Sequence, residues 1–177
     1  MASAVRLLGE FPNLVVTRTF SKGYGLAGLR VGYALGDREL IAVLNRLRES
    51  FNVNAVGLLL ARLALDDSAH LQRVVAFNHQ QRGILEHGLQ QRGVFVHPSM
   101  TNFLLADFGQ AAAPIEARWL QRGVVVRPMG GYGLPTCLRI SVGSVEENAR
   151  LLATVDEALA APAHPAPAAL VHPHTAA

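Results

Sequence analysis

A glycine-rich segment at residues 19–33 places the strongest constraint on how this chain can fold. Four glycines lie within the ten residues 23–32, a density that suits neither a helix interior nor a strand interior. The β-branched, apolar run at 13–18 predicts a short buried strand before this segment, and residues 30–35 predict another strand. The segment is therefore expected to contain tight turns and close backbone approaches between two strands.

Helical and strand patterns alternate along the rest of the chain. Helices are predicted over 38–50, 55–66, 69–92, 114–122 and 145–160, and strands over 94–96, 102–108, 124–127 and 138–142. Asp37 is typical of a helix N-cap, Gly93 and Gly123 of helix ends, and Ser144 with Glu147 of a capping box. These patterns predict an α/β fold.

Changes in composition and in secondary-structure pattern suggest three regions of the sequence. Residues 1–67 are expected to be the C-terminal part of a larger domain built on a sheet with helices. Residues 68–161 are expected to form a small, self-contained α/β domain. Residues 162–177 are mostly Ala, Pro and His and predict a disordered tail. Its three histidines, His164, His172 and His174, are interpreted as solvated side chains, because no carboxylate or cysteine accompanies them.

Composition excludes several classes of protein. The chain carries a net charge of +3, but its arginines are spread from Arg6 to Arg150 without a basic run, which argues against nucleic-acid binding. No apolar run reaches the roughly 18–20 residues of a membrane span, and no signal peptide opens the chain. A single cysteine, Cys137, excludes a disulfide scaffold and a zinc site made of cysteines, and suits a reducing cytoplasm. No metal site is predicted.

The basic residues contain the most specific chemical signal. Of 16 Lys and Arg residues, only Lys22 is a lysine. A primary amine can condense with an aldehyde, which a guanidinium cannot do. The neighbouring Thr19, Ser21 and Arg30 offer the hydroxyls and the forked donor that bind phosphate. An amine beside phosphate donors indicates pyridoxal phosphate (PLP), although an isolated lysine in a glycine-rich loop is more often a solvated charge. The order Ser-Lys-Gly does not fit a P-loop.

The segment from Thr19 to Gly32, TFSKGYGLAGLRVG, resembles the cofactor-lysine motif of fold type I PLP aminotransferases, and most closely that of the histidinol-phosphate aminotransferase family. The similarity continues in order through 102–105, 125–128 and 138–143, followed by Glu-Glu-Asn at 146–148, and covers about 10–160. It implies the C-terminal part of a PLP-transferase large domain followed by a small α/β domain.

The resemblance also implies roles for individual residues. Lys22 would hold PLP covalently and move a proton between the substrate Cα and the cofactor. Thr19, Ser21 and Arg30 would bind the cofactor phosphate. Arg139 matches the family's substrate-anion arginine, and Arg127 is a second candidate for the same task. Tyr24 and Asn54 are expected near the site, while Asn102 fits a turn or a strand edge equally well.

The family's aspartate that pairs with the pyridine nitrogen lies before the lysine, and none of the 21 residues preceding Lys22 is Asp. The chain is therefore expected to be a C-terminal half with little activity of its own and with exposed apolar faces. The full enzyme would be a cytoplasmic homodimer that acts on a small-molecule amino donor and a 2-oxo acid. A related amino-acid aminotransferase, a threonine-phosphate decarboxylase and a non-catalytic assembly module remain alternatives.

Overall fold

The computed structural model describes residues 3–160, and the predicted tail with its histidines lies outside them. The strands are β1 (Val15–Thr19), β2 (Gly32–Gly36), β3 (Phe95–Val96), β4 (Phe103–Asp107), β5 (Arg127–Pro128) and β6 (Cys137–Ser141). The α-helices are α1 (Arg38–Arg46), α2 (Ala55–Asp66), α3 (Ser68–Gln90), α4 (Ala112–Gln121) and α5 (Val145–Ala160). Short 3-10 helices occur at Ala4–Leu7, Ala27–Leu29 and Gly130–Tyr132.

The chain divides into two compact units, the first ending at Ala76 and the second beginning at Phe77. In the first unit, β1 and β2 pair as antiparallel strands over their full length. A small cluster of Phe20, Val31 and Ala61 packs beside this pair, and Tyr24 and Leu29 are among the half-buried side chains that pack against it. The glycine-rich segment thus connects two paired strands. The prediction that the first of these strands is buried is wrong, because only Val16 of β1 is buried in this two-stranded sheet.

Helix α1 begins where the sequence predicts and ends four residues early. The Asp37 carboxylate accepts hydrogen bonds from the Glu39 and Leu40 amides, at 2.8 and 3.4 Å, as an N-cap. The prediction that the helix continues to residue 50 is wrong. Leu47, which was expected on the apolar face, is 79% exposed. Because no buried contact supports the last turn, the helix stops at Arg46.

The next two helices follow their predicted limits closely. The Asn54 side chain caps α2 by accepting from the Gly57 amide at 2.7 Å, and the Asp67 carboxylate accepts from the His70 amide at 2.9 Å at the start of α3. None of the helices between residues 3 and 160 has the length and apolar content that a membrane span requires.

The second unit is an antiparallel sheet covered on one face by helices. Its strands lie in the order β3-β4-β6-β5. Alternate residues of β4 and β6, including Leu104, Ala106, Leu138 and Ile140, enter a buried cluster with side chains from α3, α4 and α5. The side chains of the remaining strand residues, among them Asp107 and Arg139, therefore lie on the other face of the sheet.

One predicted strand in this unit is mostly absent. Residues 124–127 were expected to pair, but only Arg127 and Pro128 form a ladder with β6. The Val124 amide instead donates to the Trp119 carbonyl at 2.8 Å and closes the end of α4 beside Gly123, whose φ is +71°. Val124 therefore helps to end α4, and only Arg127 and Pro128 form a strand.

The predicted capping box starts the last helix. The Glu147 amide donates to the Ser144 hydroxyl at 3.2 Å, and the Glu147 carboxylate accepts from the Ser144 amide at 2.8 Å. The buried Asn148 amide group donates to Gln81 at 3.0 Å, so a polar contact joins α5 to α3.

Candidate functional site

The residues after β1 form a compact hydroxyl-bearing turn. The Ser21 amide donates to the Thr19 hydroxyl at 3.0 Å, and the Thr19 and Ser21 hydroxyls lie 2.9 Å apart in a hydrogen bond. Between them, Phe20 is only 3% exposed, and its ring contacts Tyr24 at a centroid distance of 4.9 Å. The buried phenylalanine anchors the turn, which leaves the two hydroxyl groups on its outer side.

The register of the strand pair brings Arg30 to this turn. The last paired residues are Thr19 and Gly32, and the Phe20 amide continues the pairing by donating to the Val31 carbonyl at 3.2 Å. The ladder ends there, because the Phe20 carbonyl accepts from the Leu26 amide at 2.9 Å and Arg30 leaves the extended conformation. Arg30 therefore directly precedes the residue that pairs with Phe20. A guanidinium and two hydroxyls are the donor types that a phosphate group accepts.

Arg30 adopts a backbone conformation that arginine seldom takes. The sequence predicted it at the start of a strand, whereas the structure places it before β2 in the left-handed region, with φ 56° and ψ 44°. Its guanidinium donates to the Ala27 carbonyl at 3.1 Å. Glycine adopts this conformation at much lower cost.

Lys22 follows directly on the hydroxyl turn. Its carbonyl accepts from the Gly25 amide at 2.8 Å, and Gly25 has a φ of +71°, so the lysine opens a tight turn that needs a glycine. The side chain of Lys22 is exposed, and no ion pair or side-chain hydrogen bond holds its amine within residues 3–160. The amine is therefore accessible to a reactant.

Two further residues expected near this site have structural tasks. Tyr24 is half-buried and packs on Phe20 as part of the small core of the first unit. Asn54 caps α2 and donates weakly to the Leu29 carbonyl at 3.5 Å. In the second unit, Asn102 lies at a strand edge, where its carbonyl accepts from the Val142 amide at 2.9 Å.

The second unit pairs the two arginines that the sequence singled out. Arg127 on β5 and Arg139 on β6 are directly opposite each other, so their side chains share one face of the sheet. The Arg139 guanidinium lies 5.1 Å from the Phe103 ring centroid, and the Arg127 guanidinium donates to the Tyr132 hydroxyl at 3.0 Å. Among the described carboxylates, none forms an ion pair with either arginine. Two unneutralised cations opposite each other suit an anionic ligand.

Sequence reasoning missed a third group of reactive side chains. His97, Asp107 and Cys137 converge so that one ligand atom from each lies within 4.8 Å of the others. Hydrogen bonding from the Gly109 amide, and then from the Thr136 hydroxyl, holds the pKa of Asp107 below its usual range, with His97 and the Cys137 thiol acting in the same direction. No local pattern reveals this cluster, because three separate strand regions supply its members.

Comparisons with known proteins agree with the sequence motifs. The model of the family "Aminotransferase class I and II" matches residues 1–155. A curated relative, histidinol-phosphate aminotransferase 2 of Methylococcus capsulatus, is 50% identical over 156 residues, which cover 88% of this chain and 42% of the relative.

Two solved structures show the same fold. Histidinol-phosphate aminotransferase from Sinorhizobium meliloti, determined in complex with pyridoxal-5'-phosphate, aligns with a TM-score of 0.77 and 32% identity over 84% of this chain and 41% of that chain. The histidinol-phosphate aminotransferase from Clostridium acetobutylicum is only 19% identical, yet its TM-score of 0.82 over 88% of this chain and 48% of that chain supports the predicted α/β fold class. The chain spans less than half the length of the relatives it matches, and it belongs to the class I and II aminotransferase family.

Proposed function

We propose that this chain carries the cofactor-lysine and anion-binding segments of a PLP-dependent aminotransferase, one that exchanges an amino group between histidinol phosphate and 2-oxoglutarate. The observation that carries this proposal is the position of the only lysine, Lys22, immediately after a turn where the Thr19 and Ser21 hydroxyls form a hydrogen bond. Arg30 directly precedes Val31, whose carbonyl accepts from the Phe20 amide of that turn. The identity to histidinol-phosphate aminotransferases supports the choice of substrate.

The donor set of the first unit fits PLP. Its phosphate needs short hydroxyl donors and a cation, which Thr19, Ser21 and Arg30 offer, and its aldehyde needs an accessible primary amine, which Lys22 offers. When bound, PLP supplies an electron sink that eases removal of a proton from the substrate Cα. The protein has to position the cofactor, orient the substrate and move the proton.

Lys22 would carry out the proton transfers of the reaction, because they require an amine. Its Nζ would accept the proton from the substrate Cα and return it at the cofactor carbon, because an uncharged amine is both a base and, once protonated, an acid. Arginine cannot replace it, since the guanidinium stays protonated. The short turn from Lys22 to Gly25 would fix the origin of the side chain while leaving its amine free to move.

Arg139 and Arg127 are proposed to bind the anionic group of the substrate. Histidinol phosphate carries a phosphate and no carboxylate, and 2-oxoglutarate carries two carboxylates, so one pair of arginines would serve both halves of the exchange. The Phe103 ring beside Arg139 restricts the guanidinium plane, and the Tyr132 hydroxyl holds Arg127. Arg139 would provide the bidentate contact and Arg127 would add charge.

The remaining assignments follow from this proposal. The whole enzyme would act in histidine biosynthesis as a cytoplasmic homodimer, with a small-molecule amino donor and a 2-oxo acid as its substrates. Residues 1–67 would belong to the cofactor-binding domain and residues 68–161 to the small domain. The single buried cysteine, Cys137, is compatible with a reducing compartment.

Reductive trapping tests the cofactor site directly. The chain is incubated with limiting PLP, reduced with borohydride and digested, and the modified peptide is identified by mass spectrometry. Only two primary amines exist, Lys22 and the N-terminal amine, so the site of labelling is unambiguous. We expect the phosphopyridoxyl group on Lys22 and its loss in Lys22→Arg, which keeps the charge. Equal labelling at the N-terminus, or labelling with pyridoxal as readily as with PLP, would contradict a formed phosphate site.

A chimera tests the substrate. Residues 1–155 replace the matching segment of the Methylococcus capsulatus relative, and amino transfer is measured with histidinol phosphate, phenylalanine and threonine phosphate as donors. We expect histidinol phosphate to be the best donor and Lys22→Arg to be inactive. Preference for phenylalanine would indicate a related aminotransferase, and release of carbon dioxide from threonine phosphate would indicate a decarboxylase.

A further inference from the structure

The cluster of His97, Asp107 and Cys137 lies on one face of the four-stranded sheet. Asp107 and Cys137 are cross-strand partners of β4 and β6, and the His97 amide extends the β3–β4 pairing by donating to the Leu105 carbonyl at 3.0 Å. Their strand neighbours Val96, Ala106 and Leu138 enter the buried core. Because side chains alternate along a strand, the three reactive side chains share the opposite face.

Their chemistry is that of a mixed transition-metal site. Imidazole nitrogen, carboxylate oxygen and thiolate sulfur are the three ligand types that Zn²⁺ accepts, and a thiolate with an imidazole favours zinc over magnesium or calcium. The three ligand atoms lie within 4.8 Å of one another. In a tetrahedral zinc site the ligands lie about 2.0–2.3 Å from the metal and therefore roughly 3.5 Å from each other. Small rotations of the His97 and Asp107 side chains toward the Cys137 sulfur would close this difference.

The surroundings of the three side chains are suited to hold them in place. Asp107 accepts from the Gly109 amide at 2.9 Å, and the Thr136 hydroxyl and the Cys137 thiol also hydrogen-bond to its carboxylate. These contacts hold the carboxylate beside the Cys137 sulfur. The His97 ring packs edge-on against Phe95 at a centroid distance of 4.9 Å, which limits its rotation. Cys137 is 1% exposed, so its sulfur has a fixed position and is shielded from other reactants.

We propose that His97, Asp107 and Cys137 bind a divalent transition-metal ion of the zinc type. The ion would be held by one imidazole nitrogen, one carboxylate oxygen and the Cys137 thiolate, with water in the fourth position. On binding, the thiol releases its proton to solvent, and the metal replaces the hydrogen bond between thiol and carboxylate. The site would join β3, β4 and β6 and does not depend on the proposed transaminase activity.

Cobalt(II) titration of the full chain provides a specific test. Cobalt(II) replaces zinc in such sites and absorbs visibly, and a cobalt–thiolate bond adds a charge-transfer band in the near ultraviolet. Cys137 is the only cysteine in the chain, so this band can arise at one position alone. We expect the band to saturate at one equivalent, to disappear when zinc is added, and to be absent in Cys137→Ser.

Ligand variants and matched controls complete the test. His97→Ala and Asp107→Asn should each weaken cobalt binding at least about tenfold, since even outer-sphere partners cost that much. His79→Ala, which removes an exposed histidine from α3, should bind normally. Replacement of His164, His172 and His174 by alanine removes other candidate ligands from the chain and should leave the charge-transfer band intact.

Two results would overturn the proposal. One is a folded wild-type chain that gives no charge-transfer band, including the case in which cobalt binds only through the three histidines near the C-terminus. The other is a band of unchanged affinity in both His97→Ala and Asp107→Asn. Circular dichroism of every variant without metal verifies folding, and zinc should raise the unfolding temperature of the wild type but not of Cys137→Ser.

Discussion

At the scale of single residues, Arg30 shows a conflict between backbone preference and proposed function. Its left-handed conformation costs about 1–2 kcal/mol relative to a helical or extended arginine, and glycine avoids most of this cost. A chain selected for stability alone would place glycine there. Arginine at this position is consistent with the proposed phosphate contact, which needs a forked cation.

Arg30→Gly should therefore separate stability from cofactor binding. We expect a free energy of unfolding that is unchanged or up to about 1 kcal/mol higher, because strain is relieved while the unfolded chain gains freedom. Labelling of Lys22 at limiting PLP should fall about tenfold or more, since a charge-assisted contact is lost. Denaturant unfolding and reductive trapping measure the two effects on the same preparation.

Phe51 offers the matched control, because it is the other non-glycine residue with positive φ in the described part of the chain, at 58°. It is 98% exposed and has no proposed role. Phe51→Gly should change stability in the same direction and leave PLP labelling at the wild-type level. If Arg30→Gly labels as well as Phe51→Gly, Arg30 does not bind the phosphate.

At the scale of elements, the β1–β2 pair positions the proposed cofactor residues, and Gly32 permits its close approach. A Cβ atom at Gly32 would lie 2.8 Å from the Arg18 carbonyl oxygen, which is backbone and cannot rotate away. Gly32→Ala should destabilise the chain by about 1–3 kcal/mol and reduce PLP labelling as the register shifts. Gly28→Ala has open space around the new methyl group and should leave both thermal unfolding and labelling unchanged or slightly improved. Equal effects of the two substitutions would contradict the close strand contact.

Local patterns predicted most elements but not where their partners lie. Asp37, and Ser144 with Glu147, mark helix starts because capping is a contact within one turn. Residues 124–126 were predicted as a strand from their side chains, yet the Val124 amide is used to end α4. Strand pairing depends on which distant segment lies alongside the strand. The residue types of the strand alone do not determine that segment.

The same distinction applies to the candidate sites. Lys22, Thr19 and Ser21 are close in sequence, so a local motif could indicate them. The cross-strand position of Arg127 and Arg139 depends on the register of β5 with β6. The cluster at Cys137 depends on two registers together. This explains why the single cysteine was interpreted as excluding a disulfide scaffold and a zinc site made of cysteines, and why no metal site was predicted.

At the scale of the whole molecule, the two units differ greatly in their buried cores. Among the described residues, the second unit buries a cluster of fifteen apolar residues, whereas the corresponding cluster of the first unit has three. Local stability follows buried apolar contacts. In hydrogen exchange of the intact chain, the amides of β4 and β6 should therefore exchange at least about tenfold more slowly than those of β1 and β2. Equal protection in both sheets would show that the first unit gains stability from contacts beyond its own small core.

We expect the exposed leucines of α2 to promote self-association of the chain. Leu59 and Leu63 are 59% and 55% exposed and lie one turn apart on the same helix face, and apolar surface of this kind drives association in water. The double variant Leu59→Lys and Leu63→Lys should shift sedimentation velocity profiles of the chain toward the monomer and lower its binding of a hydrophobic fluorescent dye. The control places the same two charges on the second unit, at the exposed Leu120 and Val125, and should have a smaller effect. If both double variants act equally, net charge and not the α2 face governs association of the chain.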